Sequence, residues 1–516
     1  MTGGVATLRA PAKPTGRSAG KRRSRGEKRK RAEKRNDAER TLFGVPERFM
    51  RPRLILFAIV AILVGFGVLM VYSASSVTAL NDTGDAAYYL KRQLGFVLVG
   101  TAAAVVLANV DYRLWVKRLM MPIWVLTVLL LLLVLIAGTD NDMGANRWIN
   151  LGFFDLQPSE FAKITVIFTA ANLAQRYFEE GSLDWGTFLK LLIAGVAVPL
   201  VLIIAQPDKG TTMVIALTLL VMGYLAGMPK LLLLTLFVLG AVAFVFLSVS
   251  DAYSFQRLKT MLDPWSDRYN TGWQLVQGFY AFGTGGLFGV GVGFSRQKYA
   301  YLPMAHNDFI FAVVGEECGF VGTVGVLFGF AVFLWAGFQI ARHAPDLAGR
   351  LLAAGCTSIV IIQLLLNVSG VLGIFPLSGK PIPFLSYGGS SILASLMLVG
   401  LIASVSIHSK LPETVHDGAR RSLHEVSEGR GAGGGFSFVG EATPRSERGR
   451  TGGAGRGGSG LRVVEGGGKS GKGSRARGAR RSQAPGSSGG NRRRVDLDPN
   501  ATERLRWRGG SGPRRR

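Results

Sequence analysis

The sequence predicts an all-α polytopic membrane protein with about ten transmembrane helices, both termini in the cytoplasm, and disordered basic tails. Three observations predict it. Of 516 residues, 48% are hydrophobic, and Lys plus Arg outnumber Asp plus Glu by 60 to 33. The charge is partitioned: residues 1–53 hold 17 basic and 5 acidic groups, and residues 408–516 hold 24 and 10. The 354 residues between them carry 19 basic and 18 acidic groups, so the apolar middle is nearly neutral. Third, the glycines of the C-terminal segment (Gly431 to Gly435, Gly452 to Gly460, Gly466 to Gly468) mix with Ser and Arg. Such a segment buries too little apolar surface to offset its ordering entropy. A soluble enzyme and a collagen-like chain are both excluded.

A helix needs about 20 apolar residues to cross the hydrocarbon core. Runs of that kind fall at 54–75, 93–110, 115–137, 160–176, 188–205, 211–227, 230–250, 309–341, 348–373 and 385–407. The fourth, fifth and sixth are short or interrupted. The first follows a 53-residue polar tail and lacks a short apolar core with a small-residue cleavage site, so it is expected to stay as a helix. Basic flanks are retained on the cytoplasmic side. Two basic tails therefore place both ends inside, which requires an even number of crossings. The chain divides into a basic tail (1–50), a membrane domain (51–408) with a large outer loop (251–307), and a Gly/Arg/Ser-rich tail (409–516). The tails suit association with anionic lipid, at about 1 kcal/mol per basic residue near the surface. No folded nucleic-acid motif accompanies their charge, and nucleic acid is not an expected partner. Cys318 and Cys356 lie in apolar segments and read as small packing hydrophobes rather than a disulfide or metal site.

This orientation gathers the unusual polar segments on the outer face. Arg147-Trp148, preceded by Asn146, and Gln157-Pro158-Ser159-Glu160 lead into the fourth span. Pro158 suits a first helical turn, and Glu160 and Lys163 share a helix face. Two readings stay open: an interfacial Trp with a helix-start ion pair, or a cradle in which Arg147 and Lys163 bind an anionic headgroup. Gln206-Pro207-Asp208-Lys209-Gly210 reads as a tight turn. The glycines from Gly283 to Gly293 fail the dinucleotide-binding spacing and suggest a re-entrant or close-packed turn. Asp308 precedes an apolar run and suits both a helix cap and a general base. Glu316 and Glu317, two turns further in, must face protein or a water-filled cavity. His306 alone does not make a zinc site. Gly379 to Ser391 implies irregular backbone at the membrane edge. Asn367-Val368-Ser369 matches a glycosylation sequon but lies within a predicted span.

Taken together, Asn146-Arg147-Trp148-Ile149, Gln157-Pro158-Ser159-Glu160, Gln206-Pro207-Asp208, His306-x-Asp308-Phe309-Ile310-Phe311 with Gly315-Glu316-Glu317, and Pro383-x-x-Ser386-Tyr387-Gly388-Gly389-Ser390 resemble the SEDS family over about residues 50 to 410. Met70-Val71-Tyr72-Ser73-Ala74-Ser75 and the basic tails resemble the division branch, of the type found in high-GC Gram-positive bacteria, rather than the elongation-type paralogue. The resemblance implies a peptidoglycan glycosyltransferase that polymerises lipid II at the outer face of the cytoplasmic membrane, at the division septum. It implies that the key carboxylate is Asp308. Gln157, Glu160, His306 and Ser386 join Arg147 and Lys163 as the expected substrate contacts. The family usually has Glu where this chain has Met304.

The implied chemistry is a single inverting displacement. A base takes the proton of a sugar 4-hydroxyl, and cationic groups receive the departing undecaprenyl pyrophosphate. No cofactor is evident, although a divalent cation could assist the pyrophosphate. The implied partners are lipid II, the growing glycan, a class B penicillin-binding protein and other divisome proteins. The rival readings are a lipid II flippase, which should carry midplane charges between internal repeats, and a noncatalytic scaffold acting through its tails.

Overall fold

The computed structural model describes residues 41–42, 45–138, 147–152, 154–299 and 301–409. Packing divides the chain into Met1–Glu425 and Val426–Arg516, and the second unit lies wholly outside the described residues. So do Asn146 and nearly all of the two tails expected to be disordered.

A two-residue hairpin, β1 (Thr41–Leu42) with β2 (Val45–Pro46), precedes α1 (Glu47–Thr83) and α2 (Tyr88–Asn109). A π turn at Leu114–Arg118 opens α3 (Met120–Ala137). β3 (Ile149–Asn150) pairs antiparallel with β4 (Asp155–Leu156) and leads into α4 (Pro158–Ala174). The Trp185–Ala205 crossing consists of α5 (Trp185–Leu192), a π turn and α6 (Val198–Ala205). Then come α7 (Lys209–Ala226), α8 (Lys230–Ser250), α9 (Ala252–Leu262), α10 (Trp273–Gly285), α11 (Ile310–Arg342), α12 (Leu347–Val371) and α13 (Gly389–Ile407). The expected 251–307 loop thus contains two helices, α9 and α10.

Among the described residues, nine helical stretches are long and apolar enough to cross a bilayer. The tenth expected crossing, 160–176, is α4, with 17 residues carrying Glu160 and Lys163. Parity identifies it as a crossing. Arg53 on α1 donates from Nε to Ser406 Oγ (3.1 Å) and from Nη2 to the Ser406 carbonyl (2.6 Å) near the end of α13. The chain therefore enters and leaves the bundle at one end, which demands an even number of crossings. At that same end Phe49 meets His343, Tyr112 and Arg113 bind Asp346, and Glu179, just beyond α4, accepts from the Leu347 N–H. At the other end Gln157, which begins α4, binds Asp208. So α4 runs the full depth, and its polar side chains are tolerated because nearly all of it is buried against protein. The core centres on α12 and α13, most of whose residues are buried, whereas α8 buries only Ser248 and lies at the periphery.

The glycine-rich segment after α10 forms the close-packed turn expected of it. Gly319 (φ 67°) breaks α11, freeing backbone groups that lipid cannot satisfy. The segment supplies the partners. Val290 and Gly291 N–H donate to the Glu316 and Glu317 carbonyls (both 3.0 Å), and Phe320 and Val321 N–H donate to the Gly286 and Leu287 carbonyls (2.9 and 3.1 Å). Backbone approaches backbone so closely that a Cβ on Gly289 (φ 82°) would lie 2.1 Å from the Glu317 oxygen. The acidic pair is satisfied by protein: Ser73 Oγ donates to Glu317 (2.6 Å), and Ser295 Oγ and the Arg296 N–H (3.0 Å) donate to Glu316. Gly289→Ala is expected to destabilise by more than the roughly 1–3 kcal/mol of left-handed backbone strain. Gly325→Ala, in open space on α11, should be neutral or slightly stabilising. Thermal melting in detergent compares the two, and equal melting points would contradict the packing argument.

Candidate active site

Polar segments from six elements converge at the end of the bundle that the basic tails assign to the outside. Their centre is Asp208, the N-cap of α7, only 1% exposed. Its Oδ2 accepts from Lys380 Nζ (2.8 Å), Ser159 Oγ (2.9 Å), Thr211 Oγ1 (2.9 Å) and Gln157 Nε2 (3.2 Å), and its Oδ1 accepts from the Thr211 N–H (3.1 Å). Burial alone would raise its pKa, but the Lys380 and Arg147 charges and these hydrogen bonds hold it far below the usual carboxylate range. The segment read as a tight turn is therefore also a buried ionic hub.

In this structure most of the expected substrate contacts are engaged by groups of the protein itself. Lys163 is 2% exposed and donates to Glu160 Oε2 (2.8 Å) and Gln363 Oε1 (2.7 Å). The shared face of Glu160 and Lys163 points into the bundle, so Lys163 does not reach a surface where phosphate could bind. Gln157 is buried beneath Asp208 and Ser390. Ser386 accepts from the Ile382 N–H (2.8 Å) and closes the turn before α13. His306 packs against the Tyr89 ring (4.6 Å) and the Tyr387 ring (5.7 Å), and burial pushes its pKa down to about 4, leaving it neutral at pH 7. Of the expected contacts, Arg147 lines a cavity.

That cavity, about 220 Å³, is lined by both cationic and apolar side chains. Arg147, Lys209 and Arg257 line it together with Met213, Phe244, Leu366 and Phe375. Lys209 is saturated: its three donors engage the Leu247 carbonyl (2.9 Å), Asp251 Oδ2 (2.9 Å) and Ser254 Oγ (2.6 Å), fastening α9 to α7. The hydrogen bonds from Ser254 and Lys209 hold Asp251 down at about 2. Arg147 binds the Gln206 and Pro207 carbonyls (3.2 and 2.6 Å), and Arg257 binds the Leu377 carbonyl (2.6 Å) and the Tyr253 hydroxyl. Each guanidinium keeps further N–H donors for an anion.

Asp308 is half-buried just before α11 and does not line this cavity. It is linked to the cavity through the charge of Arg257. Burial pushes its pKa up to about 6, against the lowering pull of that guanidinium. Its backbone is held by Asn367, whose Nδ2 donates to the carbonyls of Asp308 (2.8 Å) and Lys380 (2.7 Å). The residue set aside with the sequon thus ties the carboxylate segment to the Lys380 segment. Met304 is exposed, with φ 53°, and its sulfur accepts from Asn307 Nδ2 (3.4 Å).

Sequence reasoning missed Lys209, Arg257, Asn367 and Lys380. Lys209 and Arg257 were visible only as charges in outer segments, and Lys380 as the lone cation in the Pro- and Gly-rich entry to α13. Among the described residues, no cluster of three or more His, Cys, Asp or Glu gathers to hold a metal ion. Asp251, the one carboxylate lining the cavity, is already engaged by Lys209 and Ser254, so the donor set does not fit a resident metal.

The sequence model of the FtsW/RodA/SpoVE family, described as cell cycle protein, matches residues 53–411. The chain belongs to this family. Within it, the chain is 41% identical over 367 residues to the probable peptidoglycan glycosyltransferase FtsW of Trichlorobacter lovleyi, covering 71% of this chain and 96% of the relative. It is 42% identical over 364 residues to stage V sporulation protein E of Bacillus subtilis, covering 70% and 98%. Two solved structures are similar in fold. One, from work on a peptidoglycan synthase complex that coordinates polymerization and crosslinking, has 28% identity and a TM-score of 0.55, covering 69% of this chain and 98% of that one. The other is the rod shape determining protein RodA of Thermus thermophilus, with 28% identity and a TM-score of 0.52, covering 69% and 97%.

Proposed function

We propose that this chain is a peptidoglycan glycosyltransferase that polymerises lipid II at the outer face of the cytoplasmic membrane, for septal wall synthesis in cell division. The names of its relatives support the activity. The observation that supports the mechanism is a half-buried carboxyl, Asp308, that feels the charge of Arg257, a residue lining a cavity whose wall combines cationic and apolar side chains.

Asp308 takes the proton of the acceptor's 4-hydroxyl as that oxygen bonds to the anomeric carbon of the donor. The bond from that carbon to the phosphate oxygen breaks, and the pyrophosphate departs with the electron pair. Arg147 and Arg257 receive its charge, in a site where pre-placed donors are worth more than in water. Attack opposite the leaving group inverts the anomeric centre. Met213, Phe244, Leu366 and Phe375 give the polyprenyl end an apolar surface.

The peptidoglycan synthase complex among the structural neighbours supports a class B penicillin-binding protein as partner. Other divisome proteins, and anionic lipid at the basic tails, complete the proposed set of partners. Purified full-length protein in liposomes should convert lipid II into glycan strands, faster when the class B partner is added. No polymer in either condition, with lipid translocation detected instead, would replace this reading with a flippase.

A further inference from the structure

The glycine-rich turn that meets the break in α11 presents an unbroken apolar run to the outside. From Leu287 to Phe294 the sequence is Leu-Phe-Gly-Val-Gly-Val-Gly-Phe, without one polar side chain. Leu287 is 65% exposed, Phe288 81% and Phe294 74%, with Val290 and Val292 exposed between them. The character then reverses. Ser295 turns inward onto Glu316, whereas Arg296 and Tyr299 are exposed, and among the described residues the Arg296 guanidinium has no partner.

A surface turn in water ordinarily shows its backbone and polar side chains to solvent. Here the backbone is turned inward, onto the freed groups of α11, and the large apolar side chains point away from the protein. That arrangement is unfavourable in water and favourable in lipid, which penalises unpaired backbone rather than hydrocarbon. The height of the turn agrees. Arg342 ends α11 beside the contact of Phe49 with His343, at the end that the basic tails place inside. From Phe320 to Arg342 the helix rises about 34 Å, against about 30 Å of hydrocarbon. The Gly319 break, and the turn bonded to it, therefore stand at the outer edge of the apolar layer. Phe320 and Val321, beside the break, are also exposed, so the apolar surface of the turn continues that of a crossing helix.

We propose that this part of the outer loop is a membrane wedge: Leu287, Phe288 and Phe294 insert among the acyl chains of outer-leaflet phospholipids, and Arg296 binds a headgroup phosphate. Arg296 brings several N–H donors to a phosphate, and Tyr299 suits the interfacial layer beside it. A protein docking from the water would need a polar rim around its contact, and Leu287 to Phe294 offer none. The wedge also acts on the candidate site. Ser295 Oγ and the Arg296 N–H hold Glu316, on the helix that follows Asp308, so the depth of the wedge fixes the height of that carboxylate above the bilayer.

The test is photocrosslinking of the purified full chain in liposomes of phosphatidylethanolamine and phosphatidylglycerol. Phe288→p-benzoylphenylalanine replaces one exposed aromatic side chain by another and should fold as the parent does. On irradiation it should form a phospholipid adduct, severalfold more abundant than from the same replacement at Ser266, in the exposed polar link between α9 and α10. In the Phe288 variant, adding Arg296→Gln should lower the share of anionic phosphatidylglycerol in that adduct. Crosslinking to a second copy of the chain, or lipid adduct no more abundant than from position 266, would overturn the wedge. An unchanged phosphatidylglycerol share would overturn the headgroup contact. None of these readouts depends on turnover, so their failure is distinct from failure of the glycosyltransferase reading.

Discussion

Asp308→Asn is expected to slow lipid II polymerisation by about 10²–10⁴-fold, the usual contribution of a positioned general base. Asparagine keeps the shape of the side chain, and the carbonyl bonded by Asn367 is unchanged by the substitution, so only the proton acceptor is lost. In the parent protein the carboxyl must be ionised to act. With its pKa raised to about 6, kcat/KM should climb as pH rises through that value and level off above it. Arg257 pulls this pKa down, so Arg257→Met should move the acid limb to higher pH. The sign for stability is the reverse of a paired carboxylate. A folded-state pKa above the unfolded value makes the ionised group a cost at neutral pH, so the asparagine variant should melt no lower than the parent. Near-normal turnover by Asp308→Asn would remove this residue from the mechanism.

The second large effect concerns folding. Lys380→Met is expected to cost about 3–5 kcal/mol, because it leaves Asp208 charged in a site with 1% exposure. Removing the carboxylate as well, in Lys380→Met with Asp208→Asn, should recover part of the loss, since the interaction is shared. Thermal melting of the parent and the two variants in detergent checks this, and an unchanged melting point for Lys380→Met would show that the pair contributes little.

Both predictions draw on residues that differed in how readily the sequence disclosed them. Apolar runs revealed the crossings because lipid imposes length and composition on each helix independently of its neighbours. The run at 160–176 disclosed α4 as well, but its burial depends on α12 and on the segment before α13, neither visible in a local window. The helices α9 and α10 were read as loop because an outer-face helix need not be uniformly apolar. At the site, Asp308 and Arg147 stood out through their immediate surroundings. For Glu160 and Lys163 the spacing placed both on one face, but the direction of that face is set by Gln363, 200 residues away from Lys163. Likewise the motif residues His306 and Ser386 carried no local sign that ring packing and a turn N–H had already claimed them. The influence of the Arg257 charge on Asp308, across the stretch of chain that holds α10, depends wholly on tertiary structure.

The buried α4 has a consequence for how the protein is made. An ionised side chain at the centre of a lone spanning helix costs up to about 2.5–3.5 kcal/mol, and α4 carries two near its outer end. One of the groups that stabilises them, Gln363, is synthesised 200 residues after Lys163, and Lys380 reaches the ribosome 172 residues after Asp208. During translation the fourth crossing therefore has to be sheltered by its early neighbours or by the insertion machinery. The outer polar assembly can close only when the nascent chain is nearly complete, so the site is among the last parts of the molecule to mature.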